Sequence, residues 1–471
     1  MKISTGLSRR EIYVLGPKTQ TSVYMYDLSG VERRFAFLIS SSHFTQHVYY
    51  RVLPPLIPVL AVALAYPLWQ LGLLITFYSL GMGIVQAPFG VLSDRIDRRF
   101  LLPTGLGFAG MAYILFATAP AIGSVLPAVT LGGHTFQGGF LVMSLSMVFV
   151  GVGLAVVHPV GYPMITDNVD GSNKGKVLGM FGASSKLGDA AAPAIIAGLI
   201  LILTWQEVVL FFGVAGTLYG IVLYRVLQSD QFETVPAVKR ETEDETGEET
   251  TDEKSTSTET DRRSYAYPMI AVYCFAISSM VATRGLNTFL PAFVVVIYAY
   301  SFDIASVHVG AESIGSLYFS VLLVAGAGTQ LVLGGMTDRH DARHILIGCM
   351  VIATVGLFAL ALLDLHPAIL LGVIVVLGAG LYGINPARDS LISEFSPPER
   401  EGRTFGYLFT ATSLTTAPLP ALIGYVLEVG GMRGGFALLA IGPMIAGVCV
   451  LTLYSDRVYA SKRTHVSQGS D

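Results

Sequence analysis

Charged residues are scarce in this chain. Asp, Glu, Lys and Arg make up 13% of its 471 residues, whereas 52% are hydrophobic; a soluble domain carries about 25% charged residues. Cysteine is also rare, and Cys274, Cys349 and Cys449 all lie inside apolar runs, so no disulfide framework is expected. The mean hydropathy of +0.61 excludes an ordinary soluble protein and makes lipid the expected surroundings of most of the chain.

Long apolar segments fill the sequence instead. A helix needs roughly 20 predominantly apolar residues to cross a bilayer, and glycine or proline inside such a helix is tolerated. The sequence predicts an all-α integral membrane protein with twelve transmembrane helices. The predicted spans are residues 35–64, 66–92, 100–120, 139–166, 176–203, 206–227, 266–297, 307–335, 344–364, 367–395, 403–428 and 434–455.

Lys and Arg are distributed unevenly between the two sides of these spans. With both termini on one side, that side holds 24 of the 29 basic residues, and the opposite loops contain only Arg433. An excess of basic residues marks cytoplasmic loops, so both termini are predicted to be cytoplasmic in a multi-pass protein of the cell membrane. Residues 1–33 lack the apolar core of a cleaved signal peptide.

One long stretch, residues 228–264, is polar. It holds 12 acidic and 5 basic residues and almost nothing apolar, so it cannot bury enough surface to order itself. It is predicted to be a cytoplasmic linker, and a solvated tether is favoured over a regulatory element. The predicted organisation around it is a cytoplasmic segment 1–34, six-helix bundles 35–227 and 265–455, and a cytoplasmic tail 456–471.

The two halves repeat one another. "GVLSDRIDRRFLL" (90–102) corresponds to "GGMTDRHDARHIL" (334–346), and "GVGLAVVHPVGYPMITD" (151–167) corresponds to "GAGLYGINPARDSLISE" (378–394). The chain is therefore a duplicated six-helix unit, with both copies inserted in the same direction. Parallel repeats with a site between them form a transporter architecture. The paired loop positions are Gly90 with Gly334, Asp94 with Asp338, Arg95 with Arg339, and Arg99 with Arg343.

The Gly-x-x-x-Asp-Arg-x-x-Arg-Arg loop resembles the signature of the Major Facilitator Superfamily, and the resemblance covers about residues 35–455. It implies that charged loop residues latch the cytoplasmic side and separate during the transport cycle. Asp94 can accept the free N–H groups of a neighbouring helix. The residues predicted to act in gating are Gly90, Asp94, Arg95, Arg98, Arg99, Asp167, Gly334, Asp338, Arg339, Arg343, Arg388, Asp389 and Glu394.

The loops depart from this pattern at two places, since Asp97 and Asp341 stand where the family usually has glycine. Ala342 also replaces an arginine of the second copy, so the second latch is expected to be weaker. The alternative is that the basic residues only fix the topology. More narrowly, "SHFTQHVYYRVLPPLIP" (42–58) and the pair His158-Pro159 are similar to fosmidomycin-resistance-type exporters.

Polar residues also lie inside the predicted spans, where a charge costs about 2.5–3.5 kcal/mol on insertion scales. In the first span they share one helix face, and those of the fourth, fifth and seventh spans fall at similar depth. A transporter site is expected there. The predicted solute-binding residues are His43, Gln46, His47, Arg51, His158, Lys186, Asp189, Arg284, Asn287 and Asn385.

The charges of this predicted site favour an anion. Arg51, Lys186 and Arg284 stand against Asp189 alone, which leaves a net charge of +2 and suits an organic anion or phosphonate. Lys186 and Asp189 are spaced i and i+3 and are predicted to pair, either as a proton-exchanging couple or as a structural lock. Arg388, next to Asp389, lies nearer the cytoplasmic end and fits the latch better.

The histidines have other interpretations. His43 and His47, at i and i+4, could bind a metal or haem, but no second pair lies on another span, so no metal or cofactor is predicted. His158 could instead cap a carbonyl freed by a kink at Pro159. A membrane metal or haem enzyme using His43, His47 and His158 therefore remains an alternative function.

The leading functional prediction is secondary active transport of a small solute, and the chain is not expected to be an enzyme. No Gly-x-x-x-x-Gly-Lys-Ser/Thr loop is present, so direct use of ATP is not expected, and protons are favoured as the coupling ion. A multidrug or cation efflux antiporter and a non-transporting sensor are further alternatives. The expected partners are the solute, protons and the lipid bilayer, with no nucleic acid, and a monomer is expected.

Overall fold

A computed structural model describes residues 28–236, 259–305, 307–337, 339–395 and 411–454, with side chains from 267 onward in the second range. The predicted N-terminal segment, linker and tail therefore fall largely outside the described residues. Helices dominate. In the first half they are α1 Gly30–Tyr50, α2 Leu53–Leu64, α3 Leu68–Ser93, α4 Arg98–Gly123, α5 Gly138–Leu154, α6 Val157–Asn168, α7 Lys174–Leu199 and α8 Trp205–Leu227.

The second half follows the same plan. One π-helical turn, Val294–Tyr298, directly follows the first helix of this half. The helices of this half are α9 Glu259–Phe293, α10 Ala311–Thr337, α11 Ala342–Leu362, α12 Pro367–Tyr382, α13 Asn385–Phe395, α14 Leu419–Leu439 and α15 Ile441–Thr452.

The described residues contain ten helical stretches long and apolar enough to cross a membrane. They include α1 and α2 as one stretch, and everything from Ala411 to Thr452 as another. The predicted all-α membrane architecture is thereby confirmed. The number twelve stays a prediction, because α7 is not among the ten and the last stretch, 42 residues long, is broken inside α14 at Gly431, whose φ of 74° is not helical.

Three breaks in the helices have a common cause in the sequence. The helix ends at Tyr50, Leu154 and Tyr382, in each case about one turn before a proline. Proline lacks an N–H and its ring clashes with the carbonyl four residues earlier, so the chain must leave the helix there. The prolines are Pro54, Pro159 and Pro386. The breaks after Leu154 and Tyr382 are repeat-equivalent, whereas the seventh predicted span continues unbroken to Phe293.

Two short antiparallel hairpins add to the helices, and neither was predicted. Val129–Leu131 pairs with His134–Phe136, and Phe302–Ile304 pairs with Val307–Val309. Gly132 and Gly133 form the first turn with φ of 58° and 81°, a conformation that glycine adopts without steric cost. The first hairpin falls in a loop predicted to face outward, whereas Val307–Val309 occupies the start of the predicted span 307–335, whose helix begins only at Ala311.

The two halves of the chain meet closely where α3 packs against α14. A Cβ atom on Gly72 of α3 would lie 2.3 Å from the carbonyl oxygen of Pro420, and one on Gly424 would lie 2.6 Å from that of Leu68. The N–H of Leu68 also donates to Glu428 at 2.9 Å. Small residues permit this backbone contact between α3 and α14. In the predicted topology this end faces outward.

Replacing Gly72 by Ala should loosen this contact. The added methyl group meets backbone atoms that cannot yield cheaply, although alanine itself favours a helix by about 1 kcal/mol over glycine. Gly348→Ala is the matched control, because a Cβ there meets nothing within 4 Å. Hydrogen exchange at residues 68–75 and 419–426 should accelerate in Gly72→Ala and not in the control. Unchanged protection in both variants would contradict the role given to this contact.

Candidate functional site

A buried carboxylate lies at the break between α1 and α2. Asp189 of α7 is only 6% exposed, and its Oδ1 accepts a hydrogen bond from Nε of Arg51 at 2.7 Å. Nδ1 of His47 lies 3.1 Å from the same oxygen but makes no hydrogen bond to it. The guanidinium of Arg51 also stacks 4.6 Å from the ring centre of Tyr50. The break turns Arg51 inward, so one carboxylate is shared by two basic groups.

The predicted pair of Lys186 with Asp189 is wrong in this structure. Among the described residues Lys186 makes no ion pair within 4.0 Å, and Asp189 is occupied by Arg51 and His47. Spacing along a single helix predicted the pair, but a cation from another helix reaches the carboxylate first. Lys186 instead lines a cavity of about 770 Å³ between α7 and α10.

Arg284 of α9 stands at the boundary between the two halves. Its Nη1 donates to the Tyr50 hydroxyl at 2.6 Å, while its buried Nε has no hydrogen-bond partner. Within the described ranges Arg284 forms no ion pair. A guanidinium held by one neutral partner keeps donors and charge available for an anionic group.

A second cavity, of about 190 Å³, lies beside Arg284 and contacts both halves of the chain. It lies beyond the close contact at Gly72, along α3 in the direction of the first charged loop. Tyr78, Met82 and Gln86 of α3 contribute to its wall, and Arg284 and Ser413 line it from the second half. The predicted site residues Gln46, His47 and His158 line it from the first half.

Three histidines meet next to this cavity. The ring centre of His43 lies 4.8 Å from that of His47 and 5.0 Å from that of His158. One ring nitrogen of each lies within 4.8 Å of the others. The sequence placed these residues at similar depth but gave no sign that His158 joins the pair on α1, because only folding brings α6 against α1.

The break before α6 leaves a free carbonyl, and Gln46 satisfies it. Its Nε2 donates to the Leu154 carbonyl at 2.8 Å, while Oε1 of Gln46 and Nδ1 of His158 are buried without partners. The alternative that His158 caps the freed carbonyl is therefore not what this structure shows. His158 remains available for another role.

The two predicted asparagines behave differently. Oδ1 of Asn287 accepts a hydrogen bond from the Tyr382 hydroxyl. The side chain of Asn385, at the start of α13, makes no hydrogen bond to any described residue, and Asn385 lines neither of the two cavities just described. The sequence missed Tyr78 in the cavity wall and Tyr382 as the partner of Asn287, because a tyrosine in an apolar span gives no signal that separates such roles from packing.

The first charged loop is tied together within its own half. Nη1 of Arg98 donates to Asp167 of α6 at 2.5 Å, and its Nε donates to the Ser93 carbonyl at 3.1 Å. The predicted contact between the loop and the acid at the end of α6 is therefore present. It joins α3, α4 and α6 and does not itself bridge the two halves.

The remaining loop residues are more loosely placed. Asp94, Arg95 and Arg339 are exposed, and a Cβ at Gly90 or Gly334 would meet no described atom within 4 Å. The predicted gating roles stay predictions. Three arginines pair with nearby aspartates: Arg99 with Asp97, Arg343 with Asp341 and Arg388 with Asp389. Of the other predicted gating residues, Glu394 is described by the structure and Asp338 lies outside the described residues.

The two aspartates that replace glycine in the loops have a clear structural role. Asp97 and Asp341 are the N-caps of α4 and α11, with φ and ψ of −56° and 122°, and −58° and 122°. Each carboxylate accepts the N–H of the residue two positions on, at 2.9 Å. Burial raises the pKa of Asp97, but hydrogen bonds from Arg99 and Thr234 more than offset it, so the pKa lies below its ordinary value.

Removing this cap should weaken the start of α4. Asp97→Ala should cost about 1 kcal/mol, whereas Asp97→Asn should cost less because asparagine caps equally well. Since the folded-state pKa is lowered, the charge contributes stability at neutral pH and loses it as the pH falls through the folded-state value. Hydrogen exchange of residues 98–101 measures the effect, and equal exchange in wild type and Asp97→Ala would refute it.

The fold and site define a class of protein. A polytopic helical membrane protein, duplicated in sequence and enclosing a charged cavity between its halves, is a transporter of small solutes. The family model of the Major Facilitator Superfamily matches residues 39–323 and 304–469. The chain belongs to the Major Facilitator Superfamily, whose members are transporters rather than enzymes.

Individual relatives are more distant. The chain is 28% identical over 171 residues to a probable L-galactonate transporter of Escherichia coli, covering 36% of this chain and 34% of that protein. It is 27% identical over 143 residues to the glycerol-3-phosphate transporter of Bacillus subtilis, covering 30% of this chain and 29% of that protein. The matches thus span about a third of each relative.

A solved structure has the same fold along nearly the whole chain. An inward-facing, unoccupied bacterial homologue of the human lysosomal transporter Spinster superposes with a TM-score of 0.65 at 15% identity. The superposition covers 93% of this chain and 98% of that one. At this identity the similarity establishes the fold alone.

Proposed function

We propose that this transporter moves a small organic anion across the cell membrane by alternating access. The observation that carries the proposal is Arg284, a cation at the cavity between the halves with no carboxylate partner among the described residues. Placing a charge at this depth is costly, and an anionic solute would compensate it. Lys186 in the neighbouring cavity adds a second positive charge.

The named relatives support an anion as well. One is a probable L-galactonate transporter and another is a glycerol-3-phosphate transporter, and both of those solutes are anionic. A cation exporter would be expected to keep an unpaired carboxylate in its cavity, whereas Asp189 is held by Arg51. The multidrug or cation efflux antiporter is therefore less well supported.

We infer that protons drive the transport through Asp189. Its carboxylate has two basic neighbours, Arg51 and His47. In a low-dielectric site an unpaired carboxylate or an unpaired guanidinium is costly to bury, so separating the pair favours a change of protonation. An anion that attracts Arg51 would release Asp189 or His47 to exchange a proton. This arrangement replaces the Lys186 and Asp189 couple that spacing alone suggested.

The cycle follows from the shape of the molecule. The close contact at Gly72 and Gly424 lies at the end that the predicted topology places outside, which supports an inward-facing assignment in this proposal. Opening that contact while residues of the two charged loops come together would expose the cavity to the other side. The proposal also includes two six-helix bundles, residues 35–227 and 265–455, which are joined by an acidic linker, residues 228–264. Both termini are proposed to be cytoplasmic.

A thermal-shift screen of the purified protein tests the choice of solute. A ligand that binds the folded state alone raises its stability by an amount that grows with the logarithm of the ligand concentration above Kd. L-galactonate, glycerol-3-phosphate and sulfate are compared with neutral sugars and with cationic drugs. Stabilisation by one or more anions and by none of the cations is expected. Stabilisation by cations alone would overturn the proposal.

A further inference from the structure

Each of the three histidines beside the cavity has a buried ring nitrogen without a hydrogen-bond partner. His43 is 4% exposed, and its Nε2 has no hydrogen-bond partner. Nδ1 of His158 is likewise buried and unpartnered. A buried polar group without a partner carries a desolvation cost. A ligand bound among the three histidines would offset that cost.

The tautomer of His43 is fixed by its surroundings. Nδ1 lies 2.6 Å from the Phe181 carbonyl oxygen, which can only accept a hydrogen bond, so Nδ1 carries the proton. Nε2 therefore presents a lone pair. Stacking on the Phe181 ring at 3.9 Å also holds the imidazole plane. A histidine that ligates a metal has this arrangement, donating its other N–H to a backbone carbonyl or carboxylate.

His47 lies beside a carboxylate. Its Nδ1 is 3.1 Å from Oδ1 of Asp189 but makes no hydrogen bond to it; the negative charge favours the proton on Nδ1, which leaves Nε2 to accept. His47 and His158 line both cavities, which gives an ion a route to the cluster. All three histidines belong to the first half of the chain, so the site does not depend on how the halves are arranged.

We propose that His43, His47 and His158 bind one divalent transition-metal ion of the class of Zn²⁺ or Ni²⁺. Imidazole nitrogens suit these ions. Bonds of about 2.0–2.1 Å to Zn²⁺ place two ligand nitrogens about 3.4 Å apart in a tetrahedral site. One ring nitrogen of each histidine lies within 4.8 Å of the other two, so movement of the His47 and His158 rings that shortens these distances by up to about 1.4 Å would complete the set. Water or solute would take the fourth position.

The test uses the full chain purified without a histidine tag and titrated with ZnCl₂ in a calorimeter. One ion per chain is expected. His158→Gln should weaken binding by at least about tenfold, and Asp189→Asn should weaken it similarly through the orientation of His47. The matched control is His366→Asn, outside the cluster, where asparagine can still cap α12; its affinity should equal that of wild type.

X-ray absorption of the Zn²⁺-loaded wild-type protein keeps the proposal testable even if a variant fails to fold. Three imidazole ligands on the ion are expected. Fewer than two imidazoles, no binding of Zn²⁺, or equal binding by wild type and His158→Gln would overturn it. A cluster that responds only to L-galactonate or sulfate would also overturn it, by making the histidines part of the anion site. Because the readout is metal binding, failure leaves the transport proposal standing.

Discussion

Asp189→Asn is expected to abolish pH-driven accumulation of the solute while leaving solute binding measurable. Asparagine keeps the size of the side chain but cannot carry or release the proton, and it leaves Arg51 without its counter-charge. Breaking a buried pair on one side costs about 3–5 kcal/mol of folding stability, so the folding equilibrium constant of the variant should also fall by at least about 100-fold. The measurement is uptake into proteoliposomes with and without an imposed pH gradient.

Two further variants separate coupling from a general loss of structure. Lys186→Met removes a nearby charge that makes no ion pair within 4.0 Å among the described residues, and it should keep the response to pH. The double variant Arg51→Gln/Asp189→Asn should unfold at a higher temperature than either single variant, because neither charge is then stranded. Uphill transport by Asp189→Asn would place the coupling elsewhere, with His47 and His158 as the next candidates.

Arg284→Ala is expected to weaken anion binding by about 30-fold, since a charge-assisted hydrogen bond contributes roughly 2 kcal/mol. The variant removes the guanidinium whose Nε has no hydrogen-bond partner and leaves the Tyr50 hydroxyl without its donor. Equilibrium binding of the anion found in the thermal-shift screen measures the effect.

Lysine at position 284 should restore only part of the affinity, because it keeps the charge and loses the planar fork of donors. Arg433→Ala serves as the control: this arginine pairs with Asp364 at the opposite end of the molecule from the charged loops and should bind the anion as wild type does. Wild-type affinity in Arg284→Ala, or a cation as the best ligand, would remove Arg284 from the site.

The fold was predictable because its signals are local or repeated. Apolar runs predicted the membrane spans, and the duplicated loops at Asp94 and Asp338 predicted two halves inserted in the same direction. The helix breaks at Tyr50, Leu154 and Tyr382 also follow from local rules, since each precedes a proline by about one turn. Asp97 and Asp341 as N-caps could have been recognised from their position before each helix.

The site was less predictable, because its contacts join distant parts of the chain. Helical spacing correctly placed His47 and Arg51 on one face, yet it paired Asp189 with Lys186, when Arg51, 138 residues away, reaches the carboxylate. His158 joins the other histidines only through the packing of α6 on α1. The spacing of residues along the sequence does not determine how far apart two helices lie.

Transport by the wild-type protein in proteoliposomes tests the central claim most directly. A panel of sugar acids and sugar phosphates, L-galactonate and glycerol-3-phosphate among them, is offered beside cationic drugs under a pH gradient imposed in either direction. An anion should accumulate above its equilibrium level in one direction, and a protonophore should abolish the accumulation. Accumulation of a cation, or anion fluxes that ignore the pH gradient, would contradict an anion transporter driven by protons.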